Sequence, residues 1–214
     1  MKVFVIGATG QIGKHLISLL QNSEKHTVRA MVRKEVQAEE MKQQGLDVVV
    51  ASLEGTVEDI ATAAKGCDAI VFTAGSGGNT GYDKTLLIDL DGAAKTIEAA
   101  ERAGVNRFII VSALQAHNRA NWNDGMIPYY VAKHYADRMV EHSKLAYTII
   151  RPGGLLNEPG TGKVQASENL EKGSIPREDV AKTIYASLDA HHTFHKSFDL
   201  ISGQKLIHDA LNHV

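Results

Sequence analysis

Short apolar runs alternate with amphipathic stretches along almost the whole chain. Runs rich in β-branched and aromatic residues occupy Val3–Ile6, Thr27–Val32, Asp47–Val50, Ala69–Thr73, Arg107–Ser112, Tyr147–Arg151 and Ser197–Ile201. Between them, apolar positions recur at helical spacing over Gln11–Gln21, Val36–Gln44, Val57–Lys65, Tyr82–Ala103, Pro128–Ser143, Arg177–Leu188 and Lys205–Leu211. Runs that are apolar throughout belong to strands covered on both faces, and regular strand–helix alternation makes those strands parallel. Right-handed crossovers then give an α/β, Rossmann-type doubly wound sheet of order 3-2-1-4-5-6, with a seventh strand expected and helices on both faces.

A sheet of this kind binds ligand outside the carboxyl ends of its strands. Three segments break the alternation there: Thr73–Gly81, Gln115–Ile127 and Pro152–Gly173. Each is predicted to be a ligand-holding loop. A single domain over residues 1–214 is expected, with residues from about 152 to 176 and the C-terminal segment forming a small substrate-side lobe.

Composition narrows the function classes. At 214 residues and 43% hydrophobic content the chain can bury one substantial core. A net charge of −2 gives no electrostatic reason to expect nucleic acid or an anionic membrane as partner. The longest apolar stretches are strand-sized and Met1 leads straight into the first strand, so no signal peptide and a cytoplasmic location are expected. The single cysteine, Cys67, has no disulfide partner and is predicted to sit at the core edge. His191, His192 and His195 cluster, but no carboxylate or cysteine joins them at a recognised ligand spacing, and no metal site is expected.

The first strand runs into Gly7, Gly10 and Gly13, spaced three apart. In a strand–turn–helix context this is a phosphate cradle. Gly7 turns the chain, Gly10 admits a pyrophosphate to the backbone, and Gly13 lets the helix pack against the strand. Thr9, Gln11 and Ile12 complete the turn, whose helix N-terminus favours an anion. The ligand expected there is a dinucleotide. An acidic residue about twenty positions on would select NAD. Arg33 and Lys34 stand there instead, and a guanidinium that can grip a phosphate through two hydrogen bonds argues for NADP over NAD, although Glu35 follows directly. Ser52 and Leu53 are placed beside the adenine, and Thr73, Ala74 and Gly75 beside the nicotinamide-side ribose.

Tyr129 and Lys133 lie four apart on a predicted helix, hence one turn apart on one face. A neighbouring ammonium lowers a phenol's pKa toward the operating pH, which suits proton exchange with a carbonyl or alcohol. Together with the glycine turn, Asp89-x-x-Gly92, Val111-Ser112, Arg151-Pro152-Gly153 and Arg177-Glu178-Asp179-Val180, this pair resembles a short-chain dehydrogenase/reductase. More narrowly, the chain is similar to the compact, atypical, epimerase/dehydratase-like members related to flavin and biliverdin reductases.

The resemblance implies hydride transfer with Tyr129 as acid/base. Lys133 would anchor the ribose and tune the tyrosine, Ser112 would polarise the substrate oxygen, and Pro152 and Gly153 would border the coenzyme. Two positions depart from the pattern. Leu114 stands where extended members often carry a serine or threonine, and Asp89 stands where many relatives carry an asparagine whose amide donates in a proton relay. Two readings follow: an NADPH-dependent oxidoreductase for a small carbonyl, quinone or flavin-like acceptor, or an NADP(H)-binding sensor that acts through a protein partner. About sixty residues after Pro152 leave little room for a nucleotide sugar, and Trp122 is a candidate wall for a flat acceptor. A homodimer through the fourth and fifth helices is what the resemblance implies, although Tyr82–Ala103 shows no unusual outward apolar stripe.

Overall fold

In the first strand Val3 and Val5 are buried in one core and Phe4 and Ile6 in another. This alternation is what a strand covered by helices on both faces requires. A computed structural model describes all 214 residues. The strands are β1 (Lys2–Ile6), β2 (Thr27–Val32), β3 (Asp47–Val50), β4 (Ala69–Phe72), β5 (Arg107–Val111), β6 (Ala146–Pro152), β7 (Gly154–Leu156), β8 (Lys163–Ser167), β9 (Ser174–Pro176), β10 (Lys196–Ser202) and β11 (Lys205–Leu206). The main sheet runs β11-β8-β10-β6-β5-β4-β1-β2-β3. It therefore contains the expected 3-2-1-4-5-6 order, all parallel, with β10 as the seventh strand beside β6.

The helices are α1 (Gln11–Gln21), α2 (Glu35–Gln43), α3 (Val57–Ala64), α4 (Tyr82–Lys84), α5 (Asp91–Ala103), α6 (Ile127–Glu141), α7 (Arg177–Ser187) and α8 (Ile207–Leu211). Helices α1 and α7 pack together on one face of the sheet and α3 and α5 on the other. No helix is long and apolar enough to cross a membrane. Cys67 is buried, and burial pushes its thiol pKa up.

Four features depart from the sequence reading. The segment after β6 is not all loop: β8 adds antiparallel to β10, and β7 pairs with β9 in a small separate sheet. Of β8 only Val164 is fully buried, so the strand owes its form to its partner rather than to an apolar run of its own. Lys205–Leu206 is a strand on β8 rather than the start of the last helix. The helix expected over Tyr82–Ala103 is interrupted by a π-helical turn, Thr85–Leu90, and such turns recur at functional sites. Finally, Tyr82, Leu86 and Leu87 stand exposed on this segment, so its outer side is more apolar than its sequence suggested.

Candidate active site

Helix α1 starts directly after Gly10 with no side chain capping its N-terminus, and Thr9, Gly10 and Gln11 are exposed. The Gly10 amide donates to Gly7 O at 2.9 Å and the Lys14 amide to Gly10 O at 2.9 Å, which leaves the first amides of the helix without a protein acceptor. That is the arrangement an oxyanion completes. The three glycines differ in why they are glycine. Gly7 has φ +92°, and a Cβ there would lie 2.7 Å from Thr73 Oγ1 and from the Ala74 amide nitrogen. At Gly13 a Cβ would lie 2.2 Å from Gly7 O, so helix and turn touch backbone to backbone. At Gly10 the nearest atom would be Gly7 O at 3.1 Å, so nothing in the protein itself crowds the outer side of the turn. Ile12 is buried in the core, so only its backbone faces the cleft. The residues present fit a dinucleotide diphosphate.

Arg33 and Lys34 follow β2, and both side chains are exposed and make no ion pair with the protein. Ser52 is half-buried and its Oγ accepts from the Glu54 amide at 3.1 Å, while Leu53 is buried against α5 at Gly92. Leu53 thus reaches a ligand only through its backbone. Thr73 Oγ1 donates to Ile6 O at 3.0 Å and ties the end of β4 to β1; Ala74 and Gly75 follow it toward the surface.

Lys133 is almost wholly buried. Its Nζ lies 3.1 Å from Asp89 Oδ1, 3.2 Å from Val111 O and 5.8 Å from the centre of the Tyr129 ring. The ammonium donates a hydrogen bond to Val111 O, whereas its contact with Asp89 is an ion pair that leaves Oδ1 without an aligned hydrogen bond. The other Asp89 oxygen accepts from the Ser76 amide at 2.9 Å, and Ser76 Oγ lies 3.3 Å from Thr85 Oγ1. The π-helical turn is what carries Asp89 inward to this position.

The tyrosine differs from the expectation. Burial pushes the Tyr129 pKa up, and although Lys133 pulls the other way, the Asp89 carboxylate behind that lysine works against it. The expected lowering toward neutral pH therefore does not occur, and the group is a phenol. Burial alone would lower Lys133, but the Asp89 carboxylate opposes this and holds it above the ordinary lysine value, so it stays an ammonium.

Ser112 is also placed differently from its implied role. Its backbone lines the cleft, but its Oγ is covered by protein and presents no oxygen to a ligand. The hydroxyl lies against Asp137 and helps keep that carboxylate ionised, yet neither Ser112 Oγ nor Asp137 Oδ1 completes a normal hydrogen bond. Asp137 is one turn beyond Lys133 and pairs with the buried Arg151 at 2.9 Å. Burial drives the Asp137 pKa up, with Arg151 opposing. The arginine of the Arg151-Pro152-Gly153 motif is thus a structural counter-ion, and Gly153 is fixed by packing, since a Cβ would lie 2.3 Å from Gly173 O.

Beyond Tyr129 opens a cleft of about 1120 Å³, lined by parts of Ser112–Gln115, Ala120–Tyr130, Pro152–Leu155 and Leu170–Gly173, with Arg177. This exceeds the usual span of small-molecule pockets, so the expectation of little substrate room does not hold. The added strands β7 to β9 splay the segment after Pro152 into a wall instead of filling the space. Trp122 lies in the lining of the cleft, stacked on Tyr130 at 5.8 Å and 14°, with its Nε1 donating to Ala116 O at 3.1 Å.

Sequence reasoning passed over the residue that ties this wall together. Gln115, at φ +60°, donates through Nε2 to Asp199 Oδ2 at 2.6 Å and to Leu170 O at 3.0 Å, and accepts from Asn121 Nδ2 at 2.8 Å. Asp199 on β10 also accepts from the Leu170 amide at 3.0 Å. No local signal marks a buried glutamine in the left-handed region; its bonds to the distant Leu170 and Asp199 explain it.

A family model described as NAD(P)H-binding matches residues 7–191. An uncharacterised sugar epimerase of Bacillus subtilis is 64% identical over 211 residues, covering 99% of each chain. The solved structure of a candidate NAD-dependent epimerase/dehydratase from Bacillus halodurans superposes with a TM-score of 0.92 at 44% identity, covering 99% of each chain. That of the anaerobillin reductase ChuY from Escherichia coli gives 0.81 at 26% identity, covering 94% of this chain and 97% of the other. The glycine turn, the sheet order and these matches agree: the chain belongs to the NAD(P)H-binding family, among epimerase/dehydratase-like relatives.

Proposed function

We propose that the protein is an NADPH-dependent reductase of a small carbonyl, quinone or flavin-like acceptor. The observation that carries this reading is the Tyr129–Lys133 pair: Tyr129 lines the large cleft, and Lys133 meets Asp89, which lies beside Gly75 just past the end of β4. Gly7, Thr9, Gly10, Gln11, Ile12 and Gly13 would hold the diphosphate, Arg33 and Lys34 the adenosine 2′-phosphate, and a Lys133 N–H a ribose hydroxyl. Ser52, Leu53, Thr73, Ala74, Gly75, Pro152 and Gly153 would border the coenzyme. NADPH supplies a hydride when bound. Tyr129, held as a phenol, would donate its proton to the acceptor atom made basic by hydride arrival, the oxygen of a carbonyl or quinone or a ring nitrogen of a flavin-like acceptor, and Lys133 would stabilise the phenolate that is left. A phenol is the protonation state from which the reduction step starts.

Leu86 and Leu87 on the π-helical turn and Tyr135 and Met139 on α6 are exposed apolar residues that support a homodimer. The Asp89–Lys133 pair favours a second reading, a coenzyme-occupied sensor, because it offsets the charge that would acidify Tyr129. Loss of nicotinamide absorbance from NADPH with a panel of quinones, flavins and aldehydes separates the two. The reductase consumes NADPH with at least one of them; tight NADPH binding with no consumption across the panel overturns it in favour of the sensor.

A further inference from the structure

Arg177 opens α7 on the wall of the cleft, half-buried and held in place. Its Nη1 donates to Leu155 O at 3.0 Å and to Asn157 Oδ1 at 2.8 Å, both neutral acceptors. No carboxylate pairs with it. The two acids that follow are engaged elsewhere: Glu178 takes Lys182 at 2.7 Å and the Gly160 amide at 2.7 Å, and Asp179 takes the Thr161 and Gly162 amides at 2.8 and 2.9 Å. A cation in the first turn of a helix also sits against the helix dipole, where an acid would be favoured. The guanidinium is therefore fixed by one nitrogen while its charge and its other donors stay unmatched.

Lys172, exposed on the same cleft, makes no ion pair either. Asp124 and Glu171 also line the cleft, but both are exposed, where water screens them. The aromatic part of the wall is the Trp122–Tyr130 stack, whose indole is pinned by its bond to Ala116 O.

We propose that the cleft takes a planar conjugated acceptor bearing an anionic group, with its ring system against Trp122 and Tyr130 and its anion on Arg177. This names the substrate class for the reductase reading and rests on it for the identity of the site. Trp122 is the only tryptophan, so intrinsic fluorescence reports directly on this wall. The protein saturated with NADP+ is titrated with an anthraquinone carboxylate and with its neutral hydroxymethyl counterpart.

The carboxylate should quench Trp122 saturably and bind about tenfold more tightly than the neutral ring, the worth of one charge-assisted hydrogen bond. Arg177→Gln should abolish that preference, and Arg177→Lys, which keeps the charge, should restore part of it, with NADPH affinity unchanged in both. Equal binding of the two rings, or a preference that survives Arg177→Gln, overturns the inference. Charge-selective binding without NADPH consumption would sink the reductase reading alone, whereas NADPH consumption with equal binding of both rings would sink this inference alone.

Discussion

Lys133 and Asp89 form a buried ion pair at 3.1 Å, with 5% and 1% of their side chains exposed. Together with burial, it keeps Lys133 an ammonium and Tyr129 a phenol. Removing one charge from such a pair leaves its partner uncompensated, which typically costs about 3–5 kcal/mol. Asp89→Asn should therefore lower the thermal midpoint markedly. It should also lower the pKa of Tyr129, since a carboxylate opposing ionisation is gone. Alkaline titration of tyrosinate absorbance, with Tyr129→Phe assigning the transition, checks this; an unshifted or raised transition contradicts it.

The glycines of the turn should separate into two classes. Gly13→Ala places a methyl 2.2 Å from Gly7 O and should lower stability by about 1–3 kcal/mol, as overpacking does. Gly10→Ala meets only a 3.1 Å contact and should fold nearly as the parent does while losing coenzyme affinity, because its methyl enters the space kept for the diphosphate. Chemical denaturation and NADPH titration of both variants test the distinction.

Coenzyme choice should rest on Arg33. A charge-assisted bond to a phosphate contributes about 1.5–3 kcal/mol, so Arg33→Ala should weaken NADPH by roughly tenfold or more and leave NADH nearly unchanged. Equal losses for both coenzymes would remove the 2′-phosphate contact from Arg33.

Away from the site, His26 should set a pH limit. It is buried at 3.1 Å from Asp189, and burial holds its pKa below the ordinary 6.5 despite that carboxylate. The unfolded chain takes up a proton at His26 near pH 6.5, while the folded chain resists until lower pH. Stability contributed by the neutral imidazole is thus present above pH 6.5 and lost as pH falls through the folded value, with a slope of at most about 1.4 kcal/mol per pH unit. Denaturation midpoints between pH 7 and 5 for the parent and His26→Gln test it, the variant being expected to lack this decline.

Much of this molecule was legible because its strands are covered on both faces and its first turn needs glycine for steric reasons that a sequence displays. Thr27–Val32 and Asp47–Val50 have the bounds expected of them, and Gln11–Gln21 likewise. Position on a helix brought Tyr129 and Lys133 together correctly. What failed was whatever depends on distant partners. The pKa of Tyr129 is set by burial and by Asp89, which lies forty residues earlier in the chain and reaches the site through a π-helical turn with no composition of its own. Ser112 was expected to face a substrate, but its hydroxyl is covered by protein beside Asp137, which is itself paired with Arg151. Strand β8 exists because β10 offers it a partner. Gln115 and Arg177 became visible as site residues only once their hydrogen bonds could be traced across the cleft.

The most direct test of proton donation by Tyr129 is a single-turnover comparison of the parent with Tyr129→Phe, using an acceptor that the parent reduces. The account predicts unchanged NADPH affinity and a rate of NADPH oxidation lower by about 10²–10⁴-fold, the usual worth of a positioned acid. A Tyr129→Phe enzyme that binds NADPH and oxidises it at the parent's rate would contradict it.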